Sequence, residues 1–130
     1  MTHAIDTNIA VYAFGQGDKV ARALDVLEGA TISVQVLNEF ANVALRKLAY
    51  STAKLDERIG AIRWLVDAIE PIDETTHDLA RDIKARYKLS FYDSLMVASA
   101  LLADCETLYS EDMHHGLVIE DLLTILNPFA

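Results

Sequence analysis

Four carboxylates placed far apart along the chain, Asp6, Glu39, Asp93 and Asp112, are the residues with the clearest chemical potential. Asp6 and Asp112 each follow a short β-prone stretch, and Glu39 and Asp93 lie on helical patterns that could flank those strands. In an open parallel sheet, residues just beyond the carboxyl ends of the strands face the ligand crevice. Several acids meeting there would suit Mg²⁺ or Mn²⁺, hard ions that take oxygen ligands and tolerate a few carboxylates plus water. The chemistry expected of such a site is metal-assisted hydrolysis of a phosphate ester, with Asp6, Glu39, Asp93 and Asp112 as both catalytic and metal-binding residues. Bound cations would also explain how an acidic protein approaches a polyanion.

Taken singly, each acid has a plainer reading. Asp6, in Asp6-Thr7-Asn8, reads first as a turn or helix cap. Glu39 has Gln35, Val36, Asn42 and Val43 as its helical neighbours and so lies at the margin of an apolar face, where a solvated carboxylate is ordinary. Asp93 opens the most apolar helical stretch of the chain, where an unpartnered carboxylate would be costly, yet Ser90 and Asp93 also have the spacing of a capping box. Asp112, in Tyr109-Ser110-Glu111-Asp112, could be one more acid in a loop after a strand. The case rests on the four together.

Other residues carry weaker signals. His114-His115 lacks the paired cysteines or helical His-x-x-x-His that a zinc site wants, and reads as surface. Cys105 reads as a packing residue rather than a nucleophile. Trp64 and the tyrosines could stack on bases, but Trp64 falls beside an apolar stripe and is expected in the core. Arg46, Lys47, Arg81, Lys84, Arg86 and Lys88 could follow a nucleic-acid backbone or simply solvate helix faces.

The elements that must position these groups follow from periodicity. Ala4-Ile5 and Thr31-Ile32-Ser33-Val34 read as strands. Val20, Leu24 and Leu27 lie on one face of a helix stopped near Gly29. Helices are expected over about 35–48 and through Ile59, Ile62, Val66 and Ile69 to just before Pro71, with Pro71-Ile72 as a third strand. Thr75 or Thr76 would cap a helix bearing Leu79, Ile83 and Tyr87, and residues 95–103 read as a central buried helix. Thr107-Leu108-Tyr109 and Thr124-Ile125-Leu126 complete five strands. Strand–helix alternation of this kind predicts an α/β fold, a parallel sheet with helices on both faces.

At 130 residues with no linker or repeat, the chain is expected to form a single domain over residues 1–130. A hydrophobic content of 52% excludes a disordered chain. No apolar run is long enough to span a membrane, the start lacks the pattern of a secretory signal, and the one cysteine permits no internal disulfide; a cytoplasmic protein is expected. The net charge of −9 is concentrated at the end: residues 89–130 hold seven acids and no Lys or Arg. Such a segment must solvate its carboxylates or neutralise them, and divalent metal is one means.

The motifs Ile5-Asp6-Thr7-Asn8, Val36-Leu37-Asn38-Glu39-Phe40, Tyr92-Asp93-Ser94-Leu95 and Leu108-Tyr109-Ser110-Glu111-Asp112 resemble, in order and spacing, the PIN-domain nucleases, and within them the VapC-like toxins of bacterial toxin–antitoxin pairs. The resemblance covers essentially the whole chain. It implies a PIN-like domain with a five-stranded parallel sheet, Mg²⁺ or Mn²⁺, endonucleolytic cleavage of RNA, a homodimer, and an antitoxin whose tail blocks the site. Asp6, Glu39, Asp93 and Asp112 match the family's metal-binding acids, and Thr7, Asn8 and Ser110 its supporting polar positions. Ser110 stands where Thr is commoner, and His114 where some relatives carry a further acid. Two rivals remain at this level. One is a phosphatase of the haloacid-dehalogenase type, although its second Asp is here Asn8. The other is a catalytically silent PIN-like domain that only binds protein.

Overall fold

Parallel strands covered on both faces need apolar residues at their centres, and the short strands of this chain have them in Ala4, Ile32, Ile69 and Leu108. The computed structural model describes residues 2–130. In chain order the elements are β1 (His3–Ile5), α1 (Thr7–Ala13), α2 (Val20–Leu27), β2 (Thr31–Ser33), α3 (Val34–Arg46), α4 (Thr52–Leu65), β3 (Ala68–Glu70), α5 (Glu74–Tyr87), α6 (Phe91–Leu102), β4 (Thr107–Tyr109), β5 (Val118–Ile119) and β6 (Leu123–Leu126). The strands form one sheet in the order β3-β2-β1-β4-β6-β5. Every pairing is parallel except that of β5 with β6.

The order explains where a site can form. The chain moves from β1 through β2 to β3 in one direction, then returns past β1 to add β4 on its other side. Right-handed crossovers place α1–α4 on one face and α5 and α6 on the other. The reversal lies between β1 and β4, where Ile5 pairs with Tyr109, so the crevice opens beyond those two strand ends.

The core is built as the apolar spacing predicts. Ile5, Ile32, Phe40, Leu108 and Ile125 are all within 2% of full burial. Residues 94–100 of α6 are buried on every side, the signature of a helix enclosed by sheet and neighbouring helices. Cys105 is buried and free, consistent with packing. Among the described residues no helix is long and apolar enough to cross a membrane.

The sheet departs from expectation in its count: six strands rather than five, because the two-residue β5 is too short to leave a pattern. The helix read through Ile69 stops at Leu65, where Val66 turns extended, and Ile69 belongs to β3 in place of the Pro71-Ile72 strand. Ile69 pairs with Ile32, and Asp67 N donates to Ala30 O at 2.8 Å, so pairing with β2 takes the segment away from the helix. Asp73, not Thr75 or Thr76, caps α5, and Thr76 completes a capping box with it. Trp64 is 85% exposed instead of buried; Ile62 turns the inner face of α4 to the core. Gly29 does stop α2, in the left-handed region at φ +77°.

Candidate active site

Asp6 reaches its position because β1 ends one residue earlier and α1 begins one residue later. Its backbone N–H donates to Tyr109 O at 2.9 Å, tying it to the end of β4. Its carboxylate caps α1, with Oδ1 accepting from Thr7 N at 2.7 Å. The cap and the site are thus one residue in two roles. Oδ2 accepts from Ser110 Oγ at 2.8 Å, and the fully buried Ser110 in turn accepts from Asp112 N at 3.2 Å and Met113 N at 3.3 Å. Ser110 therefore stands behind the site, fixing the first acid and the loop that carries the last.

Glu39 approaches from α3, which starts directly at the end of β2 with Ser33 as its cap. Its two oxygens are both engaged: Oε1 accepts from Thr7 Oγ1 at 2.9 Å and Oε2 from Gln35 Nε2 at 3.0 Å. Asp112 Oδ2 accepts from Asn8 Nδ2 at 3.0 Å, while Asn8 Oδ1 accepts from Glu111 N at 3.5 Å. Asp93 sits in the first turn of α6, its backbone N–H donating to the cap Ser90 Oγ at 3.1 Å. The capping half of the Ser90–Asp93 reading is therefore present.

Asp6, Glu39, Asp93 and Asp112 all line a single cavity of about 450 Å³, together with Thr7 and Asn8. Lys47, at the end of α3, is its one cationic wall residue among the described residues. Burial pushes the Asp6 carboxyl up from 3.8 to about 6; Ser110 and Thr7 hold it down in part, and the charges of Asp93 and Glu39 add to the rise. Asp93 is pushed up as well, first by burial, then by Asp112 and Glu39, against the opposing hydroxyl of Ser90. Mutual repulsion among the acids is thus felt at two of the four.

The donor set suits a hard divalent cation: it is all oxygen, it carries excess negative charge, and its four acids line one cavity. Among the described residues, no three of the His, Cys, Asp and Glu side chains stand close enough to hold an ion between them. Mg²⁺ requires only one or two carboxylates and keeps several waters, so the arrangement remains compatible with it.

All seven site residues expected from the sequence have a place in this arrangement, six on the cavity wall and Ser110 behind it. His114 and His115 are exposed; neither lines the cavity, and His115 Nδ1 accepts from Asn127 N at 2.8 Å. Sequence reasoning named Gln35 only as a helical neighbour of Glu39 and missed its bond to that carboxylate, for which the i to i+4 spacing was the signal. Lys47, read as a backbone-tracking or solvated cation, lies on the wall, as does Tyr12, which had no specific signal.

Comparison with known proteins agrees with this fold. No curated protein matches the chain in sequence. Among solved structures, a toxin–antitoxin complex from Klebsiella pneumoniae is similar with a TM-score of 0.73 at 19% identity, covering 98% of both chains. VapBC2 from Rickettsia felis, bound to a DNA fragment from its promoter, has a TM-score of 0.70 at 19% identity, over 98% of this chain and all of the other. The sarcin–ricin-loop-cleaving toxin VapC20 of Mycobacterium tuberculosis has a TM-score of 0.68 at 18% identity, over 85% of this chain and 92% of its own. The PIN domain model matches residues 4–116, a span that contains all four acids, and the chain belongs to the PIN-domain family.

Proposed function

We propose that this chain is a Mg²⁺- or Mn²⁺-dependent endoribonuclease acting in the cytoplasm as the toxin of a toxin–antitoxin pair, with a cognate antitoxin and a second copy of itself as partners. The observation that carries the reading is the shared cavity of Asp6, Glu39, Asp93 and Asp112. Membership of the PIN-domain family and the fold shared with toxin–antitoxin structures support it. RNA as substrate is supported by the likeness to a toxin that cleaves the sarcin–ricin loop.

In this reading one or two of the four acids would bind the cation directly and the others would act through its waters, with the polar neighbours fixing their places. Ser110 fixes Asp6, Thr7 and Gln35 fix Glu39, and Asn8 fixes Asp112. A bound divalent ion supplies two things: a water acidic enough to attack at neutral pH, and charge neutralisation on the phosphate. Hydrolysis adds water oxygen to phosphorus, and the ribose 3′ oxygen leaves with a proton, giving a 5′-phosphate and a 3′-hydroxyl.

RNA cleavage followed with Mg²⁺, with Mn²⁺ and with EDTA tests the reading. Asp93→Asn should lower the rate by about a hundredfold or more, since even supporting groups around a metal are worth 10- to 100-fold, with the circular dichroism spectrum unchanged. Full activity in this variant would end the assignment. Turnover of small phosphate esters without RNA cleavage would return the phosphatase reading, against which Asn8 stands with its amide committed to Asp112. No metal-dependent turnover of any kind would leave a protein-binding domain.

A further inference from the structure

A second cavity, of about 530 Å³, adjoins the acidic one and shares Glu39 and Val43 with it. Its other walls are Gln35, Asn38 and Asn42 of α3 and Tyr92 of α6. The three amides are spaced three and four residues apart, so they lie along one face of α3. Asn38 and Asn42 are exposed, and no side-chain hydrogen bond from either occurs among the described residues. Tyr92 is 60% exposed, and the edge-on contact of Phe91 at 5.8 Å, 70° between planes, buttresses its ring.

The chemistry of the walls is selective. A surface for the phosphate backbone would carry Lys or Arg, and this cavity has neither. Apart from Glu39 on the shared wall it offers uncharged groups that both donate and accept hydrogen bonds, with an aromatic face beside them. Unpaired nucleobases are recognised by that combination: amides reading their edges and an aromatic ring stacking on their plane. The volume falls in the range of small-ligand sites. The cavity is also placed for the purpose, because Tyr92 immediately precedes Asp93 and the shared wall is Glu39, two of the four acids.

We propose that this cavity is a nucleobase subsite that holds one unpaired base next to the scissile phosphate, with Tyr92 stacking on it and Asn38 and Asn42 reading its edge. The base it takes must be unpaired, since a base inside a duplex has neither its face nor its pairing edge free. This rests on the endoribonuclease reading for its place in a reaction, though not for binding.

Free nucleosides, which carry no phosphate, test the subsite apart from metal and catalysis. In ¹⁵N-labelled protein with EDTA present, adenosine, guanosine, cytidine and uridine are titrated while the side-chain amide resonances of Asn38 and Asn42 are followed. At least one nucleoside should shift both amides, saturably and in the millimolar range, and inorganic phosphate should shift neither. Tyr92→Phe should keep the response and Tyr92→Ala should lose it, with the rest of each spectrum preserved as evidence of folding. In cleavage assays Tyr92→Ala should raise KM about fivefold or more, the lower end for a lost base–aromatic stack, with kcat little changed, while Asn38→Ala with Asn42→Ala should flatten base preference at the cut. Absence of nucleoside shifts, or shifts undiminished in Tyr92→Ala, would overturn the subsite even if wild-type protein cuts RNA. Amide shifts that follow protein dilution but ignore nucleosides would assign the face to a second copy of the chain and equally overturn it. If wild-type protein cuts no RNA while nucleosides bind as described, the endoribonuclease reading fails and the subsite stands.

Discussion

Asp6→Asn should make the protein more stable at neutral pH and no more stable, or less so, in acid. Asp6 is 6% exposed, and its carboxyl is pushed from 3.8 to about 6, chiefly by burial. The folded state therefore holds the proton more tightly than the unfolded one. Below about pH 3.8 the residue is protonated in both states and burial of its charge costs nothing; as pH rises through the window to 6 the charge appears in the folded state and stability falls. Two units correspond to about 3 kcal/mol, in full force above pH 6. Asn removes that charge but replaces one acceptor oxygen by a donor, although Ser110 Oγ and Thr7 N both donate to the native carboxylate. The mismatch returns about 1–2 kcal/mol, leaving a net gain of roughly 1–2 kcal/mol at pH 7.5 and a loss of about the same size at pH 4. Urea denaturation of wild type and variant at the two pH values, with EDTA, reads the difference directly, and comparing the same pair at both pH values cancels the other carboxylates. Added Mn²⁺ should raise the midpoint of wild type more than that of the variant. A stability difference that does not change with pH would mean that Asp6 carries no uncompensated buried charge.

Two further substitutions separate fold from site. Phe40→Ala removes a side chain that is 1% exposed and packs edge-on to Phe14; thermal melting should show a loss of about 3–5 kcal/mol, a large fraction of a small domain's stability. Asn8→Ala frees the exposed Asp112 from its amide partner; the melting midpoint should barely move, while the RNA cleavage rate should fall by roughly tenfold.

The sequence was most informative where one interaction decided a segment. α3 and α6 announced themselves because their apolar faces have one job, and Gly29 because only a left-handed residue ends α2 there. It was least informative where partners distant in the chain decide. β3 continues the spacing of the helix before it, and only the ladder to β2 shows that Ile69 is in a strand. β5 has two residues and no pattern of its own. Trp64 looked apolar and internal, but burial depends on which face of α4 meets the core, and Ile62 takes that place. The acids divided in the same way. Asp6 read as a cap and is one, yet its second oxygen belongs to Ser110, 104 residues away. Glu39 read as solvated; its engagement by Thr7 across 32 residues has no local signature.

That 104-residue bond bears on how the chain comes off the ribosome. Synthesis runs from the N-terminus, so Asp6, Thr7 and Glu39 emerge early, whereas β4 and the Ser110–Asp112 turn come more than 100 residues after β1. Before β4 docks beside β1, the nascent polypeptide has a half-built cluster with one strand edge open, and the first acid has only its local bond to Thr7. Joining segments so far apart is the slow, late kind of folding event. A cavity assembled in this manner lacks its last acid until most of the chain's length has been made.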